Sequence, residues 1–317
     1  MLKDKILEVY KSNLFRRFDG DFTFYFGLKD FPNLKAKPYE FLSDKGVTLR
    51  GNFYYYDNYK ENHLIVFDHG MGAGHTAYFR EIELLASRGY LVFSYDHTGC
   101  MASDGLHSNG FLTSLADLDS CLKAIKKDYP CYQLSVIGHS WGGFSTSNIA
   151  AYHPDIKHVI SLAPFISLEA IISQTFPGLL SFMRKPVMEL EASYNPIYKD
   201  ANTINSLNNF EGKALIIHSK DDNVLNVKYH FNKLQKALHL KENIKFVLVD
   251  KKLHNPNYTV EAVRLLGNFI REKNQLMKKG LLNTEEEQEA FINKFDWYSI
   301  TEQDDNIWNL IFEILEK

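Results

Sequence analysis

Short apolar runs alternate with amphipathic stretches along most of the chain, and this alternation predicts strands separated by helices. Six runs have the composition of buried strands, and they lie at residues 63–68, 90–95, 132–138, 157–163, 214–218 and 244–249. Helical spacing predicts helices at 78–87, 115–127, 227–239 and 260–272. Ahead of the first run, residues 39–43 and 47–56 alternate in polarity, as the arms of an antiparallel hairpin do. The pattern predicts an α/β fold with a mostly parallel eight-stranded sheet and helices on both faces.

The alternation is interrupted between residues 164 and 206, where apolar positions are dense but no strand follows. We interpret this segment as a helical cap, inserted above the carboxyl ends of the strands, where such sheets bind ligands. An exposed apolar segment of this density is unfavourable on a monomer. The cap is therefore predicted either to pack on the core or to line a substrate site through Ile172, Phe176 and Leu179.

The two ends of the chain lie outside the α/β pattern. Residues 1–36 combine a charged amphipathic helix with an aromatic stretch, and residues 276–317 carry two helix-start signatures, at Thr284 and Thr301. We predict one α/β domain over residues 1–275, which includes the N-terminal segment and the cap, followed by a helical extension. The extension either packs back on the core or forms a contact in a homo-oligomer.

Composition narrows the function further. Of the 317 residues 45% are hydrophobic and 24% are charged, and the net charge is −3, without the basic excess typical of nucleic-acid binding. No apolar run approaches the ~18 residues of a membrane span, so we expect no stable membrane insertion and a cytoplasmic location. The three cysteines form no C-x-x-C motif or Cys/His cluster, so neither a disulfide framework nor a metal site is predicted.

The most specific motif is the Gly-His-Ser-Trp-Gly sequence at residues 138–142, between an apolar run and a helical stretch that ends before Pro154. A G-x-S-x-G turn displays its serine in a strained conformation, and its glycines let strand and helix approach closely. The motif resembles the nucleophile elbow of the α/β-hydrolase superfamily, and the resemblance extends over roughly residues 37–273. It implies the α/β-hydrolase fold and a nucleophilic role for Ser140.

A nucleophilic serine needs a base, and the base needs an orienting carboxylate. The fifth apolar run is followed by Asp221 and Asp222, and the sixth is followed by His254. The first of these exits resembles the family's H-G-x-x-D-x-x-V stretch, whose spacing selects Asp222. Asp221 stays an alternative, because consecutive turn residues point in different directions. The second exit resembles the segment that carries the family's histidine, so the predicted triad is Ser140, Asp222 and His254.

The resemblance also implies two backbone donors for the oxyanion of a tetrahedral intermediate. One is the N–H of Trp141, directly after the nucleophile. The other is the N–H of Met71, where His69-Gly70-Met71 resembles the family's H-G-x loop. His69 is interpreted as a brace of this loop, with a second base as the alternative. The glycine-rich run at 70–74 lacks the lysine and hydroxyl residues of a phosphate-binding loop.

The function that the resemblance implies is a serine hydrolase that cleaves carboxylic esters through an acyl-enzyme, as serine esterases and monoglyceride-lipase-like members do. The expected partner is a small-molecule ester or acyl substrate, and no cofactor is needed. A thioesterase, an acyltransferase or an aminopeptidase would use the same triad. A non-catalytic relative would instead bind a small apolar ligand beneath the cap, but it would have no need of all three triad residues.

Overall fold

The computed structural model describes residues 2–20, 26–60, 62–72 and 74–317, and within these ranges eight strands form one sheet. The strands are β1 (Lys35–Leu42), β2 (Thr48–Tyr55), β3 (His63–Asp68), β4 (Leu91–Tyr95), β5 (Gln133–His139), β6 (His158–Leu162), β7 (Lys213–Ser219) and β8 (Ile244–Val249). Residues 21–25 of the N-terminal aromatic stretch and Ala73 of the glycine-rich run lie outside the described residues.

The order of the strands across the sheet is β1-β2-β4-β3-β5-β6-β7-β8. The pairs β1/β2 and β2/β4 are antiparallel, and all the other pairs are parallel. The predicted hairpin is therefore the antiparallel edge of the sheet. The predicted mostly parallel eight-stranded sheet is confirmed.

Twelve α-helices lie in the described ranges. They are α1 (Leu2–Leu14), α2 (Phe79–Ser87), α3 (Thr113–Asp128), α4 (Trp141–Ile149), α5 (Leu168–Thr175), α6 (Arg184–Tyr194), α7 (Thr203–Asn208), α8 (Phe231–Leu238), α9 (Val260–Lys278), α10 (Glu285–Ile292), α11 (Trp297–Ile300) and α12 (Asp305–Leu315). The three helices α5, α6 and α7 fall between β6 and β7, in the segment interpreted as the cap. None of the described helices is both long enough and apolar enough to cross a lipid bilayer.

Alternate residues of β3 show how the sheet separates two apolar layers. Leu64 and Val66 pack in the layer that includes residues of α3, α4 and α8. Ile65 and Phe67 pack in the layer that includes residues of α2, α9 and α12. Successive side chains of a strand point to opposite faces. Helices therefore cover both faces of the sheet, as the sequence predicts.

Helix boundaries differ from the prediction chiefly at two places. The helix predicted at 227–239 begins only at Phe231, after a turn in which the N–H of Tyr229 donates to the carbonyl of Asn226. The helix predicted at 260–272 continues to Lys278 and stops before Gly280, whose φ of 67° suits a glycine.

The C-terminal extension is helical and packs on the sheet. Thr284 and Glu287 form the predicted capping box of α10. Thr301 does not begin a helix, because it follows the last turn of α11 and Asp304 caps α12 instead. The side chains that α12 buries belong to the same apolar layer as Ile65 and Phe67 of β3, and they are Ile307, Trp308, Ile311, Phe312, Ile314 and Leu315. The apolar face of α12 is therefore covered by the chain itself.

Candidate active site

Ser140 lies in the sharp turn between β5 and α4. Its φ of 57° and ψ of −110° put it in a region that residues with a side chain rarely adopt. The turn is held by the Ser140 N–H, which donates to the carbonyl of Leu162 at 2.8 Å. A Cβ atom on Gly142 would overlap the carbonyl oxygen of Asp68. The glycine therefore lets helix α4 approach β3, and the turn projects the serine side chain.

The loop after β8 brings His254 to this serine. His254 Nε2 lies 2.8 Å from Ser140 Oγ, and its ring is only 15% exposed. Leu253, directly before it, has a φ of 47°, so this turn adopts the left-handed conformation without a glycine. The unprotonated Nε2 of a neutral imidazole can accept the serine proton when Nδ1 carries the hydrogen.

Asp222, in the loop after β7, fixes that ring orientation. Its Oδ2 and Oδ1 lie 2.8 and 3.0 Å from His254 Nδ1, and its side chain is fully buried. Oδ1 also accepts the backbone N–H groups of Val224 and Leu225, both at 2.8 Å. Burial alone would raise the pKa of Asp222, but the hydrogen bond and charge of His254, with the two N–H donors, lower it.

The neighbouring carboxylate, Asp221, has different partners. It accepts the hydroxyl of Ser219 at 2.6 Å and the backbone N–H of Lys252 at 3.2 Å. These contacts tie the exit of β7 to the loop that carries His254. The structure thus brings Ser140, His254 and Asp222 into one hydrogen-bonded chain and gives Asp221 a bracing position.

The two residues predicted as oxyanion donors lie on the same cavity as Ser140. Met71 is in the loop after β3, and Trp141 is the first residue of α4. The first N–H groups of a helix have no acceptor within the helix, so they are free to bind an anion. The indole of Trp141 is held separately, since its Nε1 donates to the carbonyl of Phe111 at 2.6 Å.

His139, directly before the serine, has a bracing role that the sequence did not indicate. Its Nε2 donates to the carbonyl of His254 at 2.7 Å, and its Nδ1 accepts from the hydroxyl of Tyr78 at 2.8 Å. The same hydroxyl accepts the N–H of Gly70 at 3.1 Å. Burial, followed by the nearby His254, lowers the pKa of His139 to about 3, so it stays neutral. His139 therefore links the histidine loop to the loop of Met71.

A buried charged cluster lies beneath the elbow. His97 Nε2 is 3.1 Å from Asp68 Oδ1, and its Nδ1 is 3.4 Å from Asp117 Oδ2. Burial would lower the pKa of His97, but the two carboxylates outweigh it and raise the pKa to about 9. His69 accepts the backbone N–H of His97 at 3.1 Å, and its other ring nitrogen lies 2.7 Å from the carbonyl of Gly70. These contacts match the interpretation of His69 as a brace.

An apolar cavity of about 730 Å³ opens above Ser140 and His254. Among the three cap residues predicted to line it, the structure places only Phe176 on its wall. Ile172 is fully buried in the core, because it lies about 100° around α5 from the lining residue Ile171. Leu179 is 96% exposed, because it follows a turn at Gly178, and it does not line the cavity. The prediction for these two residues was wrong.

Helix α1 supplies a wall that sequence reasoning missed. Five of its residues line the cavity, and they are Ile6, Val9, Tyr10, Asn13 and Leu14. Their spacing of three and four residues is the signature of one helix face, so the stripe is visible in the sequence. The partner of that face is not, because it lies far along the chain. Among the described residues, no group of histidine, cysteine, aspartate and glutamate side chains is arranged to hold a metal ion.

A family model described as serine aminopeptidase, S33, matches residues 59–196. This range contains Ser140 but ends before Asp222 and His254. Monoglyceride lipase of Mus musculus is 32% identical over 106 residues, which cover 32% of this chain and 35% of the relative. Pyrethroid hydrolase of Sphingobium wenxiniae is 31% identical over 119 residues, which cover 36% of this chain and 41% of the relative. The chain thus spans about two fifths of the length of these curated relatives.

Solved structures match over more of the chain. An esterase of Pyrococcus furiosus has a TM-score of 0.58 at 20% identity, and the match covers 85% of this chain and 98% of the esterase. An acylaminoacyl peptidase of Pyrococcus horikoshii has a TM-score of 0.56 at 18% identity, covering 72% of this chain and 39% of the peptidase. At these identities the likeness shows a common fold.

Proposed function

We propose that the chain is a member of the α/β-hydrolase superfamily, and that it is a serine hydrolase that cleaves carboxylic esters through an acyl-enzyme. The observation that carries the proposal is the hydrogen-bonded chain from Ser140 through His254 to Asp222 at the wall of an apolar cavity. Ser140 is the nucleophile, His254 is the general base and then the general acid, and Asp222 holds the imidazole tautomer.

In the first half of the reaction, Ser140 Oγ attacks the carbonyl carbon of the ester while His254 Nε2 takes the hydroxyl proton. The carbonyl oxygen becomes an oxyanion and accepts the N–H groups of Met71 and Trp141. Each such donor lowers the barrier by ~3 kcal/mol in comparable sites. The intermediate then collapses: the bond to the alcohol oxygen breaks, His254 returns its proton to that oxygen, and the alcohol leaves.

In the second half, water attacks the acyl-enzyme carbonyl while His254 accepts a proton from it. The bond between the acyl carbon and Ser140 Oγ breaks, and the proton returns to the serine. The buried Asp222 carboxylate stays ionised throughout, which agrees with its lowered pKa. The products are a carboxylic acid and an alcohol, so the reaction needs no oxidant, reductant or cofactor.

The composition of the cavity wall supports an ester with a hydrocarbon part. Its lining includes Phe111, Phe165, Ile171 and Phe176, and none of the described lining residues is an aspartate or a glutamate. An aminopeptidase must hold the charged amino group of its substrate, which a carboxylate usually does. The ester hydrolase therefore has support that the aminopeptidase alternative lacks. Names of relatives such as monoglyceride lipase and esterase agree with it.

The test combines labelling with a fluorophosphonate probe and hydrolysis of p-nitrophenyl esters. Ser140→Ala should abolish labelling and lower kcat by roughly 10⁴-fold or more, because only the nucleophile is removed. Asp222→Asn should lower kcat by several orders of magnitude, since it allows the wrong imidazole tautomer.

Asp221→Asn is the matched control and should change kcat little. A ranking in which Asp221→Asn is the more damaging change would move the triad acid to Asp221. Esterase activity of Ser140→Ala within tenfold of the wild type would overturn the nucleophile. Rapid turnover of thioesters, or acyl transfer to added alcohols at the expense of hydrolysis, would favour the thioesterase or acyltransferase alternative.

A further inference from the structure

One face of the N-terminal helix α1 lines the cavity that also contains two of the proposed catalytic residues. The residues of this face recur at helical spacing from Ile6 to Leu14, and they share the cavity with Ser140 and His254. Val9 is 61% exposed, so it lies at the rim, whereas Tyr10 is buried. The helix lies ahead of residues 59–196, the part that matches the family model. The helix therefore lies outside the part of the chain that matches the family model.

Specific contacts fix α1 against the cap. The hydroxyl of Tyr10 donates to Glu191 Oε1 at 2.5 Å, and the other oxygen of Glu191 accepts the N–H of Phe111 at 2.8 Å. Glu191 is fully buried on α6. The Tyr10 ring also lies 6.2 Å from the ring of Phe176, a cap residue on the cavity wall. Because burying an unpaired carboxylate is costly, this pairing fixes where α1 docks.

The chemistry of this wall determines what it can contact. Ile6, Val9 and Leu14 present hydrocarbon, and they line the same cavity as Ile171 and Phe176. A volume of about 730 Å³ is far more than an acetyl group fills, and it lies in the range that encloses ligands of several hundred daltons. A charged group would lose its hydration against these hydrocarbon side chains without gaining a partner from them. A flexible hydrocarbon chain is the ligand that gains most from this surface.

We propose that α1 is a specificity-determining wall of the acyl site, and that the preferred substrates are esters whose linear acyl chain is long enough to reach α1. The proposal rests on the proposed ester hydrolase. Each methylene that contacts the wall should raise kcat/KM by up to roughly fourfold, until the chain fills the cavity. The acetyl group of an acetate ester stays near Ser140 and does not depend on α1.

The test compares two neighbouring exposed positions of α1. Val9→Trp adds bulk at the cavity rim, and Glu8→Trp adds the same side chain at a position that does not line the cavity. Both positions are exposed, so both variants should fold. For Val9→Trp we expect kcat/KM on p-nitrophenyl dodecanoate to fall at least tenfold, while the value on the acetate changes less than twofold. Glu8→Trp should leave the whole chain-length profile unchanged.

A binding measurement separates this proposal from the proposed function. Calorimetry with a non-hydrolysable dodecyl ether needs no catalysis, and Val9→Trp should weaken its binding at least tenfold relative to Glu8→Trp. If the wild type binds the ether in this α1-dependent way but hydrolyses no ester, the wall stands and the proposed function fails. If the wild type hydrolyses esters but Val9→Trp keeps both the profile and the ether affinity, the wall is overturned and the hydrolase stands.

Discussion

The two ends of the chain both reach the candidate active site, but they contact different parts of it. Helix α1 lines the cavity and is joined by Tyr10 to Glu191 of the cap helix α6. The segment at 301–304 contacts the loop that carries His254, and none of its residues is among the described residues that line the cavity. One end of the chain therefore borders the space for the substrate, and the other holds a proposed catalytic group.

The C-terminal segment, residues 301–304, contacts the loop that carries His254 on both sides of that histidine. Before it, the ammonium group of Lys252, which is only 6% exposed, pairs with the carboxylate of Asp304. After it, the N–H of Asp304 donates to the carbonyl of Asn257 at 2.8 Å, and the N–H of Thr259 donates to the carbonyl of Glu302 at 3.0 Å. A loop tied at both ends has little freedom to move its central residue, so the segment should position His254.

Each end of the chain also docks on a buried glutamate. Tyr10 of α1 donates to Glu191, and Gln303 of the C-terminal segment donates to Glu81 at 3.2 Å. Burial raises the pKa of both carboxyl groups to about 7. Both ends thus use a hydrogen bond to a buried glutamate. They differ in what they contact at the site, which is the cavity for α1 and the loop of His254 for residues 301–304. Substrate preference and histidine placement should consequently be separable by mutation.

The largest expected effect is on the free energy of unfolding, whose dependence on pH should come in part from Glu191. The folded state keeps the Glu191 proton up to pH about 7, whereas the unfolded chain loses it near the ordinary pKa of 4.5. The stability contributed by the protonated group is therefore complete below pH ~4.5 and is lost as the pH rises through about 7. Glu191→Gln should remove about 3 kcal/mol of this pH dependence, measured by urea unfolding between pH 4.5 and pH 7.5.

Glu81→Gln is the matched variant at the other end. In Glu191→Gln, the amide group can donate to the Tyr10 oxygen and accept the N–H of Phe111, so the stability at low pH should not change. Glu81 differs, because its Oε2 has no hydrogen-bond partner among the described residues. An amide group there would bury an unpaired donor and should cost about 1–3 kcal/mol at low pH. Equal low-pH stabilities of the two variants would contradict this distinction between the two ends.

A smaller effect is expected on catalysis when the C-terminal tether is cut. Asp304→Asn keeps a side-chain oxygen to cap α12 but leaves the buried Lys252 without its counter-charge. A displacement of about 1 Å in a catalytic group can cost 10²-fold, and a partial shift of His254 should lower kcat about tenfold. KM should stay within about twofold, because this segment does not border the cavity.

Two further variants separate positioning from general destabilisation. Glu313→Gln breaks an exposed pair with Lys245 at 3.9 Å, which also joins α12 to β8, and it should leave kcat unchanged. Lys252→Met combined with Asp304→Asn removes both charges, keeps the cap of α12 and should recover part of the lost kcat. A raised KM with an unchanged kcat for Asp304→Asn would show that this segment does not position His254.

The sheet could be predicted because each central strand is a short apolar run, and the residues around the run mark where the strand begins and ends. The same holds for the elbow and the two later strand exits, since the chemistry of Ser140, Asp222 and His254 follows from where parallel strands end. The structure brings these three side chains within hydrogen-bonding distance. Their catalytic roles stay predictions.

What the sequence could not provide is the rotation of helices and the pairing of distant segments. Ile172 and Leu179 are apolar residues of an apolar cap, yet Ile172 on α5 faces the core and Leu179 after Gly178 faces solvent, because nothing local fixes which cap residues meet the cavity. Tyr10 and Glu191 are 181 positions apart. A buried polar pair of this kind becomes recognisable only when the fold has brought its two partners together.

The smallest expected effect tests the pairing of Tyr10 with Glu191. Tyr10→Phe keeps the ring against Phe176 and removes only the hydroxyl, while Glu191 keeps the N–H of Phe111. The free energy of unfolding should fall by about 1 kcal/mol, the value of one buried hydrogen bond. Tyr194→Phe is the control, since Tyr194 is 37% exposed and packs its ring against Phe15 at 5.0 Å.

Because α1 borders the cavity and does not hold His254, Tyr10→Phe should lower kcat/KM for dodecanoate by about threefold and leave the acetate rate unchanged. An equal loss on both esters would mean that α1 acts on the catalytic residues after all, and the contrast between the two ends of the chain would fail.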